Sequence, residues 1–227
     1  MKVLVTGSHG LVGQEVVHRL TGAGHFVVRL VRSNPDRDRG DAIWDPVTGS
    51  IERSVLTDID SVIHLAGESL LGLWTKNKRQ RIHNSRVVAT EYLSEALVGL
   101  TPRPKTFISA SAIGYYGDQG DAWLNESSPA GTGFLPRLCR EWEDATKMAD
   151  HAGIRVANIR IGVVLSPKGG ALSGMLPPFK MGIGGPLGLG RHYMSWITLD
   201  DLANAILFIL ENTAIEGPVN MTAPHPA

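Results

Sequence analysis

The segment "KVLVTGSHGLVG", residues 2–13, constrains this chain more than any other. A β-rich run ends at Thr6, and Gly7, Gly10 and Gly13 follow at the spacing G-x-x-G-x-x-G. The next stretch places Val12, Val16 and Leu20 on one helical stripe, with Gly24 at its end. Glycines so spaced let a strand turn sharply into a helix, let backbone N–H groups approach a diphosphate, and let helix and strand pack closely. The helix N-terminus adds its partial positive charge. The arrangement predicts a first βα unit with a dinucleotide against Gly7, His9, Gly10, Leu11, Val12 and Gly13.

The pattern then repeats. "FVVRLV" (26–31), "SVIHLA" (61–66), "TFISA" (106–110) and "RVANIRI" (155–161) read as strands. Residues 11–23, 85–98 and 136–152 read as helices, the last turning Leu138, Trp142, Ala145 and Ala149 inward. Such alternation requires right-handed crossovers, which predicts an α/β, Rossmann-type, doubly wound parallel sheet. Residues 1–161 form the predicted dinucleotide-binding domain. Residues 162–227 form an interleaved substrate or lid region that does not fold alone. Its Gly- and Pro-rich start reads as loops, and only 197–212 reads as a helix, capped by Thr198 with Asp200 and Asp201 in its first turn. No polar linker precedes this region, so it is expected to fold back onto the sheet.

Composition excludes several classes. Lys+Arg and Asp+Glu are equal at 22 each, so no global field draws the chain to nucleic acid or anionic lipid. No stretch approaches the ~18–20 apolar residues of a membrane span. A single cysteine, Cys139, fits a reducing compartment, and its apolar mid-helix setting predicts an inert thiol. No His, Cys, Asp or Glu grouping has metal spacing. The expected setting is cytoplasmic, with a small-molecule substrate as partner, no nucleic acid, no membrane, and a homodimer allowed.

The second strand decides between dinucleotides. An NAD site offers an acid there, ~20 residues past the glycines, for the ribose hydroxyls. Here "RLVRSN" presents Arg32 and Ser33 instead. A guanidinium grips a 2′-phosphate with charge-assisted bonds, whereas a carboxylate repels it, so NADP(H) is predicted. Arg29, inside the strand, reads as a surface residue. "HLAGE" brings the small residues Ala66 and Gly67, beside Leu65, to the adenosine side. Asn84 and Arg86 open the next helix, within reach of phosphate or ribose, Asn84 also serving as a plausible N-cap.

With these pieces placed, "VTGSHGLVG", "VIHLAGES", "SASAIGYYGD", "IRIGVVLSPKGGAL", "MLPPFKMGIGGPLGLGRHYMSWITLDDLA" and "GPVNMTAP" span essentially the whole chain. Together they resemble the extended short-chain dehydrogenase/reductase superfamily, and more narrowly its atypical NAD(P)-dependent epimerase family branch of the 39U type. The resemblance implies a catalytic serine, matched by Ser111, and cofactor contacts near Ser109 and from Arg160 to Val163, Gly162 among them. It also implies further helices beyond Ala227. It further implies Tyr-x-x-x-Lys, a pair that shares one helix face at i and i+4. That motif is missing: "LPRLCREWEDATK" holds no tyrosine, and counting from the Tyr116–Gly117 turn places the expected positions near Arg137 and Glu141. Tyr115 or Tyr116, with Ser111, is the candidate replacement acid, and Glu126 or Asp201 the carboxylate alternative. Arg160, an arginine within an apolar strand, calls for a phosphate or a buried carboxylate from a neighbouring helix. Glu143 and Lys147 read as an exposed i,i+4 pair, and Arg191 and His192 as contacts to an anionic substrate. The resulting expectation is an NADP(H)-dependent oxidoreductase or epimerase-like enzyme acting on a polar substrate. The alternative is a catalytically idle NADPH-binding regulatory or scaffold protein.

Overall fold

The structure, a computed structural model, describes residues 1–185 and 193–227. In chain order the elements are β1 (Lys2–Thr6), α1 (Leu11–Gly22), β2 (Phe26–Val31), β3 (Asp41–Asp45), β4 (Ser50–Ile51) and β5 (Ser61–His64). Then come α2 (Lys76–Asn84), α3 (Val87–Val98), β6 (Thr106–Ala112), α4 (Phe134–Asp144), α5 (Lys147–His151) and β7 (Arg155–Ile161). The last are β8 (Val163–Ser166), α6 (Gly170–Lys180), β9 (Trp196–Thr198), α7 (Leu199–Glu211) and β10 (Gly217–Met221).

Eight strands form one sheet in the order β10-β7-β6-β5-β1-β2-β3-β4, parallel throughout except for the antiparallel β4. Because successive strand residues point to opposite faces, each apolar run serves two cores. Val3, Val5, Ile63, Ile108 and Ile159 pack against Val16 and Leu20 of α1 and Leu202 and Ile206 of α7. Leu4, Val62, Phe107 and Val156 face the other way, onto Ala89, Leu93 and Leu97 of α3. The predicted doubly wound α/β architecture is therefore present. Strand order reverses between β1 and β5, which places the glycine turn at the switch point where such sheets bind ligands.

Several elements differ from their expected bounds. The helix expected over 85–98 is preceded by a separate one, α2, capped by the Thr75 hydroxyl accepting from Lys78 N at 3.2 Å. Asn84 thus ends a helix and does not cap one. The helix expected over 136–152 breaks between Asp144 and Lys147, although Leu138, Trp142, Ala145 and Ala149 are all buried as predicted. The Gly- and Pro-rich stretch read as loops contains α6, and β8 pairs with β9 in a small second sheet. Past residue 161 the chain returns to the main sheet as expected: β10 pairs with β7, and α7 lies on α1, where Arg19 donates to Asp200 and Asn204. Thr198 caps α7, accepting from Asp201 N at 3.0 Å.

Candidate functional site

The glycine turn is tight because neighbouring backbone leaves no room for side chains. Gly7 has φ +69°, and a Cβ there would stand 2.6 Å from the Leu65 carbonyl group. A Cβ on Gly13 would collide with the Gly7 carbonyl, so α1 meets its own entry turn without a gap. Gly10 N donates to Gly7 O at 2.9 Å and begins α1 with no side-chain cap and no acid in the first turn. The first N–H groups of α1 thus have no side-chain acceptor among the described residues. The Ser8 hydroxyl is buried beside them with no hydrogen-bond partner. A turn with uncapped amides and an orphaned hydroxyl fits a diphosphate. His9 is exposed, its carbonyl accepting from Gln14 Nε2 at 2.8 Å. Leu11 lies under Gly169 and Gly170 at the start of α6, and Val12 packs on the α1/α7 core.

Hydrogen bonds the sequence does not reveal fix the opposite wall. The Thr6 hydroxyl accepts from Leu65 N and Ala66 N, both at 3.2 Å, which leaves its own proton for His64 Nδ1 at 2.6 Å. His64 Nε2 then donates to the Thr90 hydroxyl at 3.0 Å. Burial holds the imidazole neutral, its pKa lowered to about 3. Glu68 N donates to Ser85 Oγ at 2.9 Å, and Arg86 Nη1 to Glu68 O at 3.0 Å. The Arg86 guanidinium is sandwiched between Gly67 and the Trp142 ring, 5.2 Å from its centroid. Leu65, Ala66, Gly67 and Arg86 are therefore brought together across from Gly7.

At the end of β2, Arg32 and Ser33 are both exposed, and Arg32 has no ion-pair partner among the described residues. Two acids that follow β2 in the chain are engaged elsewhere. Asp41 accepts from Arg29 Nε at 2.5 Å and from Asp36 N at 2.9 Å, and Asp36 pairs with Arg39 at 3.3 Å. Arg29 is thus half of a buried ion pair and not the surface residue expected, because β3 brings Asp41 alongside it.

The second cluster is set by strand register. Ser111 on β6 and Asn220 on β10 both lie directly opposite Arg160 on β7, which puts the three side chains in one row on one face. Arg160 reaches Glu143 of α4 through Nε and Nη2, both at 2.8 Å. Ser111 Oγ donates to the same carboxylate at 2.7 Å. The Tyr115 ring lies 3.5 Å from the guanidinium carbon. Burial works against the charge on Arg160, but the bonds from Glu143 and Tyr116 outweigh it and hold the pKa above the usual arginine value. Of the two partners the sequence allows Arg160, the structure supplies the carboxylate. Glu143 is therefore not paired with Lys147, whose ammonium contacts Asp144 at 2.5 Å. Arg137 and Glu141 face an outer cleft with Trp74 and His83, while Leu135 and Cys139 meet Gly114 at the end of β6. Burial pushes the Cys139 thiol up to about 12, consistent with an inert sulfur. Ser109 is fully buried within β6, and Gly162 N donates to Met221 O at 3.0 Å where β7 and β10 leave the sheet.

Tyr116 is 4% exposed, yet its hydroxyl is doubly engaged: it accepts from Arg160 Nη1 at 2.9 Å and donates to Asn220 Oδ1 at 2.7 Å. Tyr116 and Asn220 belong to the wall of a cavity of about 830 Å³ at the carboxyl edge of the sheet, with Asp118, Trp123, Tyr193 and Thr222. Neither carboxylate alternative is in that wall: Glu126 stands just behind it, accepting from Asn220 N at 2.8 Å, and Asp201 bonds Thr198. Arg191 and His192 lie outside the described residues. Among the described residues there is no metal-binding cluster, and no helix is long and apolar enough to cross a membrane. Asn220, Ser8 and His64 escaped the sequence reading, and Glu143 was read there only as the surface partner of Lys147. Two signals were there: His64 is a lone histidine in an apolar strand, and Arg160 in its own apolar strand called for a carboxylate without saying which.

The profile of the NAD dependent epimerase/dehydratase family matches residues 3–221. An epimerase family protein of Mycobacterium leprae is 40% identical over 225 residues, covering 99% of this chain and 72% of its own. Human epimerase family protein SDR39U1 (isoform 2), solved with NADPH, superimposes with a TM-score of 0.90 at 31% identity over 100% of this chain and 76% of that one. The nucleoside-diphosphate sugar epimerase from Corynebacterium glutamicum gives a TM-score of 0.88 at 39% identity, and this chain spans 47% of its length.

Proposed function

Because the chain belongs to the NAD dependent epimerase/dehydratase family, we propose that it binds NADP(H) at the β1/β5 switch point and acts as an oxidoreductase or epimerase-like enzyme. The observation that carries this reading is the turn at Gly7, with its uncapped α1 amides and the unpartnered Ser8 hydroxyl, together with an exposed Arg32 just past the end of the neighbouring strand β2. The residues from Gly7 to Gly13 hold the diphosphate. Leu65, Ala66, Gly67 and Arg86 border the adenosine, and Arg32 with Ser33 takes the 2′-phosphate. That the human relative was solved with NADPH supports the choice of coenzyme. When bound, the nicotinamide supplies or accepts hydride.

The protein's own part is to hold a polar substrate in the cavity bordered by Tyr116 and to move a proton. Tyr115, which stacks on Arg160 behind the cavity wall and whose hydroxyl has no hydrogen-bond partner among the described residues, suits that second role better than Tyr116, whose hydroxyl is already bonded on both sides. A second reading, an idle NADPH-binding regulatory protein, is favoured by one observation: Ser111 and Arg160 are both committed to Glu143. Consumption of NADPH with a panel of carbonyl compounds, abolished by Tyr115→Phe, separates the two readings.

Titrating NADPH and NADH by fluorescence tests the coenzyme assignment. Arg32→Ala is expected to weaken NADPH about tenfold or more and to leave NADH unchanged, as loss of one charge-assisted bond requires. Equal affinities of the parent chain for the two coenzymes would overturn it.

A further inference from the structure

Resting on the reading of the cavity as the substrate end of the coenzyme site, we propose that the side-chain amide of Asn220 is the donor that receives a carbonyl oxygen of the substrate. The argument is one of donors and acceptors. A guanidinium has only donors, so Arg160 Nη1 must occupy a lone pair of the Tyr116 oxygen, at 2.9 Å. The single phenolic proton is then directed to its other neighbour, Asn220 Oδ1, at 2.7 Å. That bond fixes which way the amide faces. Oδ1 points back to Tyr116, and the Nδ2 group, with two protons and no acceptor among the described residues, is left for the cavity that Asn220 lines.

The orientation is held from several sides. Arg160 is clamped by both oxygens of Glu143 and donates to Glu126 O at 3.2 Å, while Glu126 accepts from Asn220 N. The backbone and side chain of Asn220 are thus both anchored before any ligand arrives, which is the condition for an oriented donor to discriminate. A ligand oxygen there meets a neutral donor of fixed direction. Trp123 and Tyr193, 81% and 65% exposed, offer apolar faces on the same cavity wall. The ligand class that fits is a carbonyl compound with a flat or apolar face.

The test uses the full chain, isotope-labelled, with benzaldehyde as the probe, with and without NADPH. The Asn220 side-chain amide signal, identified by its loss in Asn220→Asp, is expected to shift as benzaldehyde is added. Asn220→Asp keeps an acceptor for the Tyr116 hydroxyl and removes the donor, so the urea midpoint should hold while probe affinity falls roughly three- to tenfold. Tyr116→Phe, which releases the amide from its orientation, should also weaken the probe. An Asn220 signal that does not move on adding benzaldehyde, whether or not the probe binds elsewhere, would overturn the proposal. So would equal affinity of the parent and Asn220→Asp. If Asn220→Asp does not fold, the parent signal, assigned through the backbone, decides alone. A failure of NADPH to bind would show separately in the coenzyme titration and would count against the coenzyme reading, because the probe is also titrated alone.

Discussion

His64 is enclosed completely by apolar strands, yet each ring nitrogen has one partner, and those partners settle its tautomer. The Thr6 hydroxyl gives its proton to Nδ1, so the ring proton sits on Nε2 and goes to Thr90. Protonating the ring would place two donors against Thr6, whose hydroxyl proton already points at Nδ1, and would bury a charge. Folding therefore depresses the pKa from the ordinary 6.5 to about 3. Below the unfolded value, the unfolded chain binds a proton that the folded chain refuses. The stability is fully present above about pH 6.5 and is lost as pH falls toward the folded value. Between about pH 7.5 and pH 5 this one residue should cost about 2 kcal/mol of folding stability. Urea unfolding at a series of pH values checks it, with His64→Gln expected to flatten the dependence over that window. A parent chain equally stable at both ends would refute the assignment. Little of this was legible beforehand. "VIHLAG" shows a histidine in an apolar run, but its partners, Thr6 and Thr90, are 58 and 26 residues away and are chosen by strand register and helix placement.

Among the elements, α4 shows most clearly what a linear pattern can and cannot reveal. Its apolar stripe was readable, and Leu138 and Trp142 are buried as expected. Its charges were not, since Glu143 pairs sideways into the sheet with Arg160 and not along the helix with Lys147. Lys147 and Asp144 are more than half exposed, whereas Arg160 and Glu143 are 3% and 13% exposed. Removing one partner of a buried pair strands the other, at roughly 3–5 kcal/mol, while a surface pair contributes about 0–1 kcal/mol. Glu143→Ala should therefore lower the urea unfolding free energy severely, and Lys147→Ala should barely change it. Equal effects would restore the helical pair that the sequence suggests. The missed elements have their own reasons. In α2, "KNKRQRIHN" carries one buried residue, Ile82, so no apolar period announces a helix. In α6, "GALSGMLPPFK" combines two glycines with two prolines and buries nothing, which reads as loop. The strands β1, β2, β5, β6 and β7 were legible because a doubly covered parallel sheet demands continuous apolar runs.

On the scale of the whole molecule, the question is whether residues 162–227 form an appendage or part of one folding unit. Leu199, Leu202, Ala203, Ile206, Ile209 and Leu210 of α7 are buried, most of them against Val3, Val5, Ile63, Ile108 and Ile159 of the central strands. Deleting α7 would uncover that entire face of the sheet. At ~1.5–3 kcal/mol for each large aliphatic side chain, the loss is on the order of 10 kcal/mol. A domain of this kind has roughly 5–15 kcal/mol in total. β10 adds to this by covering the edge of β7, where Arg160 finds its Asn220 neighbour. A fragment ending at Ile161 is thus expected to lack cooperative unfolding and to bind hydrophobic dye. The 227-residue chain should unfold in one transition, with coincident midpoints by circular dichroism and by tryptophan fluorescence. The fluorescence probes are well placed for this, since Trp44 reports on the β3 side of the sheet, Trp142 on α4, and Trp196 on β9. Two separated transitions, or a fragment 1–161 that melts cooperatively, would mean that residues 1–161 and 162–227 fold independently. The row of Ser111, Arg160 and Asn220, which spans the two halves, would then be assembled by docking and not by folding.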